Sequence, residues 1–237
     1  MKREVVLLNG WSITHAAWRP LVAAMPADWT LHAIDLQDLG SGTAAALAAA
    51  IAQRAPRTCD VVAWSLGAQL ALQWMHDRPD QVRRAALIAA TPCFLARAGW
   101  PAGMDPAVFE AFAAQVDVQP AAALQRFALL QARGDANMHD VARALREALC
   151  DAGAAKAALH AGLACLRESD LRAPAIRVQT PVLLAHGAQD AIVPVAAAMR
   201  LAGVLAGSRL EVYAAAGHAP HLSQPAALAA AIAGHFS

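Results

Sequence analysis

The chain has 237 residues, 58% of them hydrophobic and 16% charged, and its formal net charge is +1. That length suits one α/β domain, and nothing in the near-neutral charge indicates the clustered basic surface that is typical of nucleic-acid-binding proteins. No apolar run reaches the roughly 18 residues that a membrane span requires. The first residues also lack the apolar stretch and cleavage site of a signal peptide, so we expect a cytoplasmic protein that binds neither nucleic acid nor membrane.

Six short runs rich in Val, Ile and Leu are predicted to be strands buried on both faces. They cover residues 5–8, 31–34, 60–63, 85–89, 182–186 and 209–213. Helical patterns lie between most of them, at residues 17–24, 44–54, 67–77, 195–205 and 226–235. This alternation is typical of right-handed βαβ crossovers and predicts a mainly parallel, doubly wound sheet, the α/β class.

The alternation stops between residues 91 and 180, where helical patterns follow one another without a strand. We interpret this stretch as an inserted helical cap over the carboxyl ends of the strands, where open α/β sheets bind their ligands. Residues 1–90 and 181–237 would then form the core, and a separate helical domain is the alternative. The predicted cap helices cover residues 106–115, 120–133, 140–150 and 154–167.

Ser65 follows the third predicted strand and precedes a predicted helix. A serine in this position, with small residues two before and two after it, is typical of the nucleophile elbow of the α/β-hydrolase fold. Gly67 meets the requirement for a small residue, and Ala63 replaces the more usual glycine. The alternative is that Ser65 merely caps the helix.

A serine hydroxyl needs a base, and in this fold the acid and then the histidine follow the serine along the chain. Asp190 comes just after the strand at 182–186, and His218 comes after the strand at 209–213. We therefore predict that Asp190 orients His218 and that His218 activates Ser65, although Asp190 could instead be a turn or cap residue. His221 competes with His218, but we expect it to begin the last helix.

The other histidines are expected to be structural or surface residues. They are His15, His32, His76, His139, His160, His186 and His235. The four cysteines form no Cys-x-x-Cys pair, so we expect reduced, mostly buried thiols and neither a metal site nor a cofactor.

Two backbone amides are predicted to form the oxyanion hole. One is the N–H of Leu66, at the start of the helix after Ser65, and the other is the N–H of Trp11, in the loop after the first strand. Gly10 would let that loop approach closely. Asn9 stands where histidine is usual, and we expect its side chain to hydrogen-bond locally.

With these residues placed, the chain resembles the pimeloyl-[acyl-carrier protein] methyl ester carboxylesterases of biotin synthesis over nearly its whole length. Matches in the predicted catalytic loops are shared with related hydrolases: Asn9-Gly10-Trp11, Trp64-Ser65-Leu66-Gly67 and His218-Ala219-Pro220. Matches in the predicted cap bear more directly on the substrate, because caps diverge fast between substrate classes. These are Pro92-Cys93-Phe94, Ala96-Arg97, Trp100-Pro101 and Arg126-Phe127-Ala128-Leu129-Leu130-Gln131.

The resemblance implies a cofactor-independent serine carboxylesterase that hydrolyses the methyl ester of pimeloyl-acyl-carrier protein, and we expect it to act as a monomer. It implies that Arg126 and Arg143 contact the carrier protein, with Arg133 and Arg146 nearby. It also implies a set of substrate-binding residues: Trp11, Ser65, Leu66, Phe127, Ala128, Leu129, Leu130, Gln131 and His218.

The chain departs from the family pattern at several positions besides Asn9 and Ala63. Ala68 replaces a common glycine, Ala122 stands at a cap position that is usually basic, and the start of the chain leaves no room for the usual leading hairpin. Three other functions stay open: a general short-chain carboxylesterase without a carrier protein, a ligand-binding protein that has lost catalysis, and a cofactor-free haloperoxidase. A dehalogenase is excluded, because it would need aspartate at position 65.

Overall fold

The computed structural model describes residues 2–237, and within them six strands form one sheet in the order β2-β1-β3-β4-β5-β6. The strands are β1 (Glu4–Leu8), β2 (Thr30–Ile34), β3 (Cys59–Trp64), β4 (Val82–Ile88), β5 (Val182–Gly187) and β6 (Arg209–Tyr213). The helices are α1 (Arg19–Ala24), α2 (Ala44–Arg54), α3 (Leu66–Asp77), α4 (Pro106–Val118), α5 (Pro120–Ala132), α6 (Met138–Glu147), α7 (Lys156–Glu168), α8 (Arg172–Arg177), α9 (Val195–Ala202), α10 (Pro220–Ser223) and α11 (Pro225–Phe236).

The predicted fold class is confirmed, because every neighbouring pair of strands in this sheet is parallel. Helices cover both faces of the sheet, as in a doubly wound sheet, but the edge strands β2 and β6 are mostly half-buried or exposed. The prediction that all six strands are buried on both faces is therefore wrong for these two. Val6 and Leu8 pack into the buried cluster that contains α2 and α3, while Val5 and Leu7 pack into the cluster that contains α1 and α11. Successive side chains of β1 thus enter opposite layers.

Prolines account for three differences between the predicted and observed helices. The helix predicted at residues 17–24 is a 3-10 turn, His15–Trp18, followed by α1, because Pro20 cannot donate a backbone hydrogen bond. The short α8 contains Pro174 and was not predicted. We expected His221 to begin the last helix, and this was wrong. His221 lies on the separate four-residue α10, and Pro225 starts α11 afterwards.

Between β4 and β5, five helices of the described chain, α4–α8, occupy the stretch at residues 91–180. We call this stretch the helical segment. Phe109, Leu124 and Leu163 from this segment lie in the same buried cluster as Val61 and Leu87 of the sheet. The helical segment therefore shares a continuous apolar core with one face of the sheet.

The four cysteines, Cys59, Cys93, Cys150 and Cys165, are free and buried, as predicted. Burial raises the pKa of the Cys59 thiol to about 12, with Asp60 adding to the effect. Among residues 2–237, no group of three potential metal-ligating side chains is close enough to hold a metal ion. In the same residues, no helix is long and apolar enough to cross a membrane.

Gly187 ends β5 at a point where only a glycine fits. A Cβ atom there would lie 1.9 Å from the carbonyl oxygen of Gly217 and 2.4 Å from that of Ala216. Both neighbours are backbone atoms that cannot move cheaply. This contact brings the chain after β5 directly against the chain after β6.

We expect Gly187→Ala to lower the free energy of unfolding by about 3 kcal/mol. For a chain of this size, that corresponds to a fall in Tm of about 10 °C, measured by circular dichroism. Gly234→Ala is the matched control, because a Cβ at Gly234 would meet nothing within 4 Å. The control should be as stable as the wild type or up to about 1 kcal/mol more stable. Equal Tm values for the two variants would contradict the expectation.

Candidate active site

Ser65 has the strained backbone that a nucleophile elbow requires. Its φ is 56°, in a region that residues with side chains rarely occupy, and it joins the end of β3 to the start of α3. Gly67 permits this turn, because a Cβ there would lie 2.5 Å from the carbonyl oxygens of both Leu8 and Asn9. In the described chain the Ser65 side chain makes no capping hydrogen bond to α3.

The Ser65 hydroxyl instead contacts His218. The distance from Ser65 Oγ to His218 Nε2 is 3.0 Å, and the distance from His218 Nδ1 to Asp190 Oδ2 is 2.7 Å. Because a carboxylate only accepts, His218 Nδ1 carries the proton and Nε2 is free to accept the proton of Ser65. The structure thus brings together the three residues that the sequence analysis selected, from the turn or loop after β3, β5 and β6.

Asp190 is a buried carboxylate that accepts three hydrogen bonds from the described chain. Its Oδ1 accepts the backbone N–H groups of Ile192 and Val193 at 2.8 and 2.9 Å. Its Oδ2 accepts from His218 and lies 3.3 Å from Nε2 of His186. Burial alone would raise the pKa of Asp190, but the two neighbouring histidines outweigh it and hold the pKa well below its usual range. Asp190 is therefore ionised at neutral pH.

His221 lies near the site without joining it. Its ring packs between Trp18 and Trp64, at centroid distances of 4.9 and 4.5 Å, and neither ring nitrogen has a hydrogen-bond partner among the described residues. Burial, with His218 adding to it, lowers the pKa of His221 to about 3. His221 is thus a neutral packing residue, and the geometry favours His218 as the base.

The loop after β1 lies directly against Ser65. A Cβ at Gly10 would be 3.4 Å from the Cβ of Ser65 and 3.1 Å from the Trp64 ring. Among residues 2–237, the backbone N–H groups of Trp11 and Leu66 donate to no protein acceptor. Both amides are therefore available to a ligand, as an oxyanion hole requires.

The expectation for Asn9 was wrong. The side chain is 1% exposed, and neither its oxygen nor its nitrogen has a hydrogen-bond partner in the part of the chain that the structure describes. Asn9 contributes to this site through its backbone, whose carbonyl oxygen packs against Gly67. The polar character of its side chain is therefore not what shapes the loop.

An apolar cavity of about 60 Å³ lies beside the indole of Trp11, under the helical segment. Phe127 and Leu130 of α5 line it, as do Phe112 of α4 and Leu163 of α7. The lining suits methylene groups rather than a charged group. Trp11 lines this cavity and belongs to the loop after β1, which contacts Ser65. The cavity therefore adjoins the site.

Comparisons with known proteins identify the family of this chain. Residues 5–231 match the model of the alpha/beta hydrolase family. The pimeloyl-[acyl-carrier protein] methyl ester esterase of Aromatoleum aromaticum is 38% identical over 94% of this chain and 93% of that protein. The esterase of the same name from Nitrosomonas europaea is 35% identical over 94% of this chain and 91% of that protein.

The chain belongs to the pimeloyl-[acyl-carrier protein] methyl ester esterase family of α/β-hydrolases. Solved structures agree on the fold. A bromoperoxidase from Bacillus anthracis superposes with a TM-score of 0.87 at 17% identity, covering 100% of this chain and 92% of that one. An esterase from Exiguobacterium antarcticum gives 0.82 at 21% identity, covering 99% and 92%. At these identities the two structures support the fold alone.

The family resemblance implies that the five residues at 127–131 bind substrate, but in the structure they lie in different surroundings. Phe127 and Leu130 reach the cavity, whereas Leu129 is 43% exposed on the outer face of α5. Ala128 packs in the buried cluster that contains α6. Gln131 is buried, and its carbonyl oxygen accepts the backbone N–H of His218 at 3.2 Å.

The two arginines expected to contact the carrier protein of the esterase family differ in their surroundings. Arg126 is exposed on α5, and no carboxylate of the described chain lies within ion-pair distance of it. Arg143 is exposed on α6 but lies 2.9 Å from Asp140 and 3.6 Å from Glu147 on the same helix. The side-chain hydrogen bond to Asp140 and the charges of both carboxylates raise the pKa of Arg143. Its charge is thus partly compensated before any partner binds.

Three residues that support the site were not singled out from the sequence. Trp64 donates its Nε1–H to the carbonyl oxygen of His218 at 2.8 Å, and Asp135 accepts the N–H of Gly217 at 3.0 Å. His186, which we grouped with structural or surface histidines, is buried beside Asp190. One sequence feature could have indicated this position: His186 lies at the end of a predicted strand, four residues before the predicted acid. Nothing in the sequence pattern marks Asp135 or the indole of Trp64.

We expect Asp190→Asn to lower kcat about 10⁴-fold, because an amide can hold the wrong tautomer of His218. The measurement is steady-state hydrolysis of p-nitrophenyl butyrate. Asp28→Asn, which changes an exposed aspartate, is the matched control and should leave kcat within a factor of two, roughly the error of such a comparison. A loss of less than tenfold in Asp190→Asn would contradict the assignment.

The lowered pKa of Asp190 also predicts how stability depends on pH. A carboxyl group whose pKa is lower in the folded state stabilises that state fully above its unfolded value, near 3.8, and less as the pH falls towards the folded value. The difference in free energy of unfolding between wild type and Asp190→Asn should therefore be constant above about pH 5 and shrink below about pH 4. Urea denaturation at several pH values measures it, and a difference that grows on acidification would contradict the sign.

Proposed function

We propose that this chain is a serine carboxylesterase that hydrolyses the methyl ester of pimeloyl-acyl-carrier protein. The observation that carries the chemistry is the pair of contacts at His218, 3.0 Å to Ser65 Oγ and 2.7 Å to Asp190 Oδ2. The choice of substrate is supported by the curated relatives, which bear that name and match 94% of the chain, the helical segment included. The family resemblance places this reaction in biotin synthesis.

In the first step, Ser65 Oγ attacks the ester carbonyl carbon while His218 Nε2 takes the hydroxyl proton. Asp190 accepts from Nδ1 and stabilises the imidazolium that forms. The carbonyl oxygen becomes an oxyanion, which the N–H groups of Trp11 and Leu66 would stabilise by about 3 kcal/mol each. His218 then gives its proton to the methoxy oxygen, the bond from that oxygen to the carbonyl carbon breaks, and methanol departs. The acyl group remains on Ser65.

In the second step, water attacks the acyl-enzyme. His218 takes a proton from the water, the C–O bond to Ser65 breaks, and His218 returns the proton to Ser65 Oγ. The product carries a free carboxylate at the end of its chain. All three residues come from one chain, so we also propose that a monomer is sufficient for the reaction. We further propose that it acts in the cytoplasm, where biosynthetic esters of this kind are made.

We propose that the helical segment acts as the cap of this site. Its apolar cavity beside Trp11 suits the methylenes of the pimeloyl chain, each worth about 0.8 kcal/mol when buried. Phe127 and Leu130 would make these contacts directly, and Gln131 would act through the His218 backbone. Ala128 would support them from beneath, and Leu129 faces outwards, where a carrier protein could meet it.

We expect Ser65→Ala to lower kcat for p-nitrophenyl butyrate about 10⁶-fold, since no other hydroxyl is in contact with His218 in the described chain. The variant should still bind the carrier-linked ester, because the cavity and the proposed oxyanion donors are retained. Ser41→Ala, on an exposed loop, is the control and should turn over normally. Full activity in Ser65→Ala would overturn the proposed chemistry.

The family resemblance implies an acidic carrier protein, so we propose that Arg126 and Arg143 contact it. Arg126 has no competing carboxylate, whereas Arg143 already pairs with Asp140 and Glu147. An uncompensated exposed charge contributes more to steering a charged partner. Arg126 should therefore matter more than Arg143, although both lie on the outer surface of the helical segment.

We expect Arg126→Glu to raise KM for the carrier-bound methyl ester about tenfold and Arg143→Glu to raise it about threefold. Neither change should alter hydrolysis of p-nitrophenyl butyrate, and 0.5 M salt should reduce both effects. Arg200→Glu, an exposed charge reversal on α9, is the control. If all variants hydrolyse the carrier-bound ester normally, and wild type prefers the small ester, the chain is instead a general carboxylesterase.

A further inference from the structure

The loop after β1, residues 9–14, is held by the helical segment as well as by the sheet. The N–H of Thr14 donates to the carbonyl oxygen of Ala148 at 2.8 Å, and the N–H of Cys150 donates to the carbonyl oxygen of Ser12 at 2.9 Å. These bonds form a short antiparallel bridge between Ile13 and Leu149, in the chain that joins α6 to α7. The loop that carries the Trp11 amide therefore takes part of its position from outside the core.

The indole of Trp11 is fixed from three sides. Its Nε1–H donates to the carbonyl oxygen of Leu159 in α7 at 2.9 Å, a buried bond. Phe112 of α4 and Phe127 of α5 meet its ring edge-on, at centroid distances of 5.6 and 5.3 Å. Edge-to-face contacts of this kind have a preferred geometry, so they resist rotation of the ring.

Gly162 makes the contact with α7 possible. It lies three residues after Leu159 and so on the same face of that helix. A Cβ at this position would be 2.4 Å from Cδ1 of Trp11 and 3.2 Å from Cδ2 of Leu66. A glycine inside a helix costs about 1 kcal/mol relative to alanine. Gly162 thus touches the side chains of both proposed oxyanion donors, at a position where alanine would otherwise favour the helix.

We propose that Gly162 is a positioning residue for the oxyanion hole: it lets α7 hold the Trp11 indole and the Leu66 side chain, and so sets the direction of their two backbone N–H groups. The proposal rests on the proposed ester hydrolysis through Ser65. A shift of an ångström in a group that acts on the transition state can cost a hundredfold in rate. A methyl group at 162 must displace the indole, because Trp11 Cδ1 lies within the ring and close to the backbone.

A purely structural role for Gly162 makes a different prediction. If the glycine only lets the helical segment pack closely, an added methyl lowers stability, and the molecules that stay folded turn over normally. If it positions the amides, kcat falls in folded enzyme while KM changes little, since the oxyanion forms only after substrate has bound.

The test compares Gly162→Ala with Gly234→Ala, a glycine in α11 where an added Cβ meets nothing within 4 Å. Each protein is titrated with a fluorophosphonate, so that kcat is expressed per reactive Ser65, and Tm is measured separately. We expect Gly162→Ala to lower kcat for p-nitrophenyl butyrate at least tenfold with KM within threefold, and Gly234→Ala to match the wild type. Normal kcat per titrated site in Gly162→Ala would overturn the proposal.

A double variant identifies the partner and covers the case in which Gly162→Ala fails to fold. With the indole removed in Trp11→Ala, the tightest contacts of a methyl at 162 are gone, and the remaining one is the flexible end of the Leu66 side chain at 3.2 Å, which has to shift by only a few tenths of an ångström. Trp11→Ala/Gly162→Ala should therefore fold and match Trp11→Ala in kcat. A further tenfold loss in the double variant, or its failure to fold, would overturn the role of the Trp11 contact. If wild type does not react with the fluorophosphonate at all, it is the proposed ester hydrolysis that fails, which distinguishes the two claims.

Discussion

The buried carboxylate of Asp190 sets the geometry around it. Removing a carboxylate from water costs several kcal/mol unless its oxygens are satisfied, and here two backbone N–H groups and two imidazoles surround them. The two amides fix the loop after β5, and His218 ties the loop after β6 to it. The close approach of Gly187 to Gly217 leaves these loops little freedom to separate. One ionised group thus fixes the relative positions of two chain segments and, through His218, the distance to Ser65.

The helical segment holds the loops after β1, β5 and β6, which the sheet anchors at one end only. The turn after α5 contacts the loops of both the proposed acid and the proposed base: a Cβ at Gly134 would lie 2.7 Å from the carbonyl oxygen of Gln189, and Asp135 accepts the N–H of Gly217. The chain before α7 pairs with the loop after β1. Each loop of the proposed site therefore has one end anchored in the sheet and a second contact in the helical segment. A movement of that segment would change the site itself as well as access to it.

The sequence was informative wherever a short-range pattern carries the physics. All six strands were predicted, because the four central ones are continuous buried apolar runs and the partly buried edge strands β2 and β6 are also rich in apolar residues. The proposed triad was found because catalytic residues in this fold follow strand ends. Contacts between distant segments left no such pattern. Trp64 is 154 residues from His218, and nothing local indicates that an indole N–H will meet a carbonyl there. The expectation that the Asn9 side chain hydrogen-bonds locally was wrong for the same reason, because burial of a loop residue depends on what packs over it.

Helix α5 shows why substrate selection and catalysis are hard to separate in this chain. With 3.6 residues per turn, positions 127 and 131 fall on one face and position 126 on another. Phe127 meets the Trp11 indole and lines the cavity, and Arg126 is exposed to solvent. Gln131, in the last turn of the helix, accepts the backbone N–H of His218 through its carbonyl oxygen. One rigid turn and a half of helix thus carries a surface for the proposed carrier protein, a wall for the acyl chain and a support for the proposed base. A substitution that re-orients α5 to suit another carrier would also move the wall and the support. The α5 residues on which the family resemblance rests therefore bear on mechanism as much as on substrate.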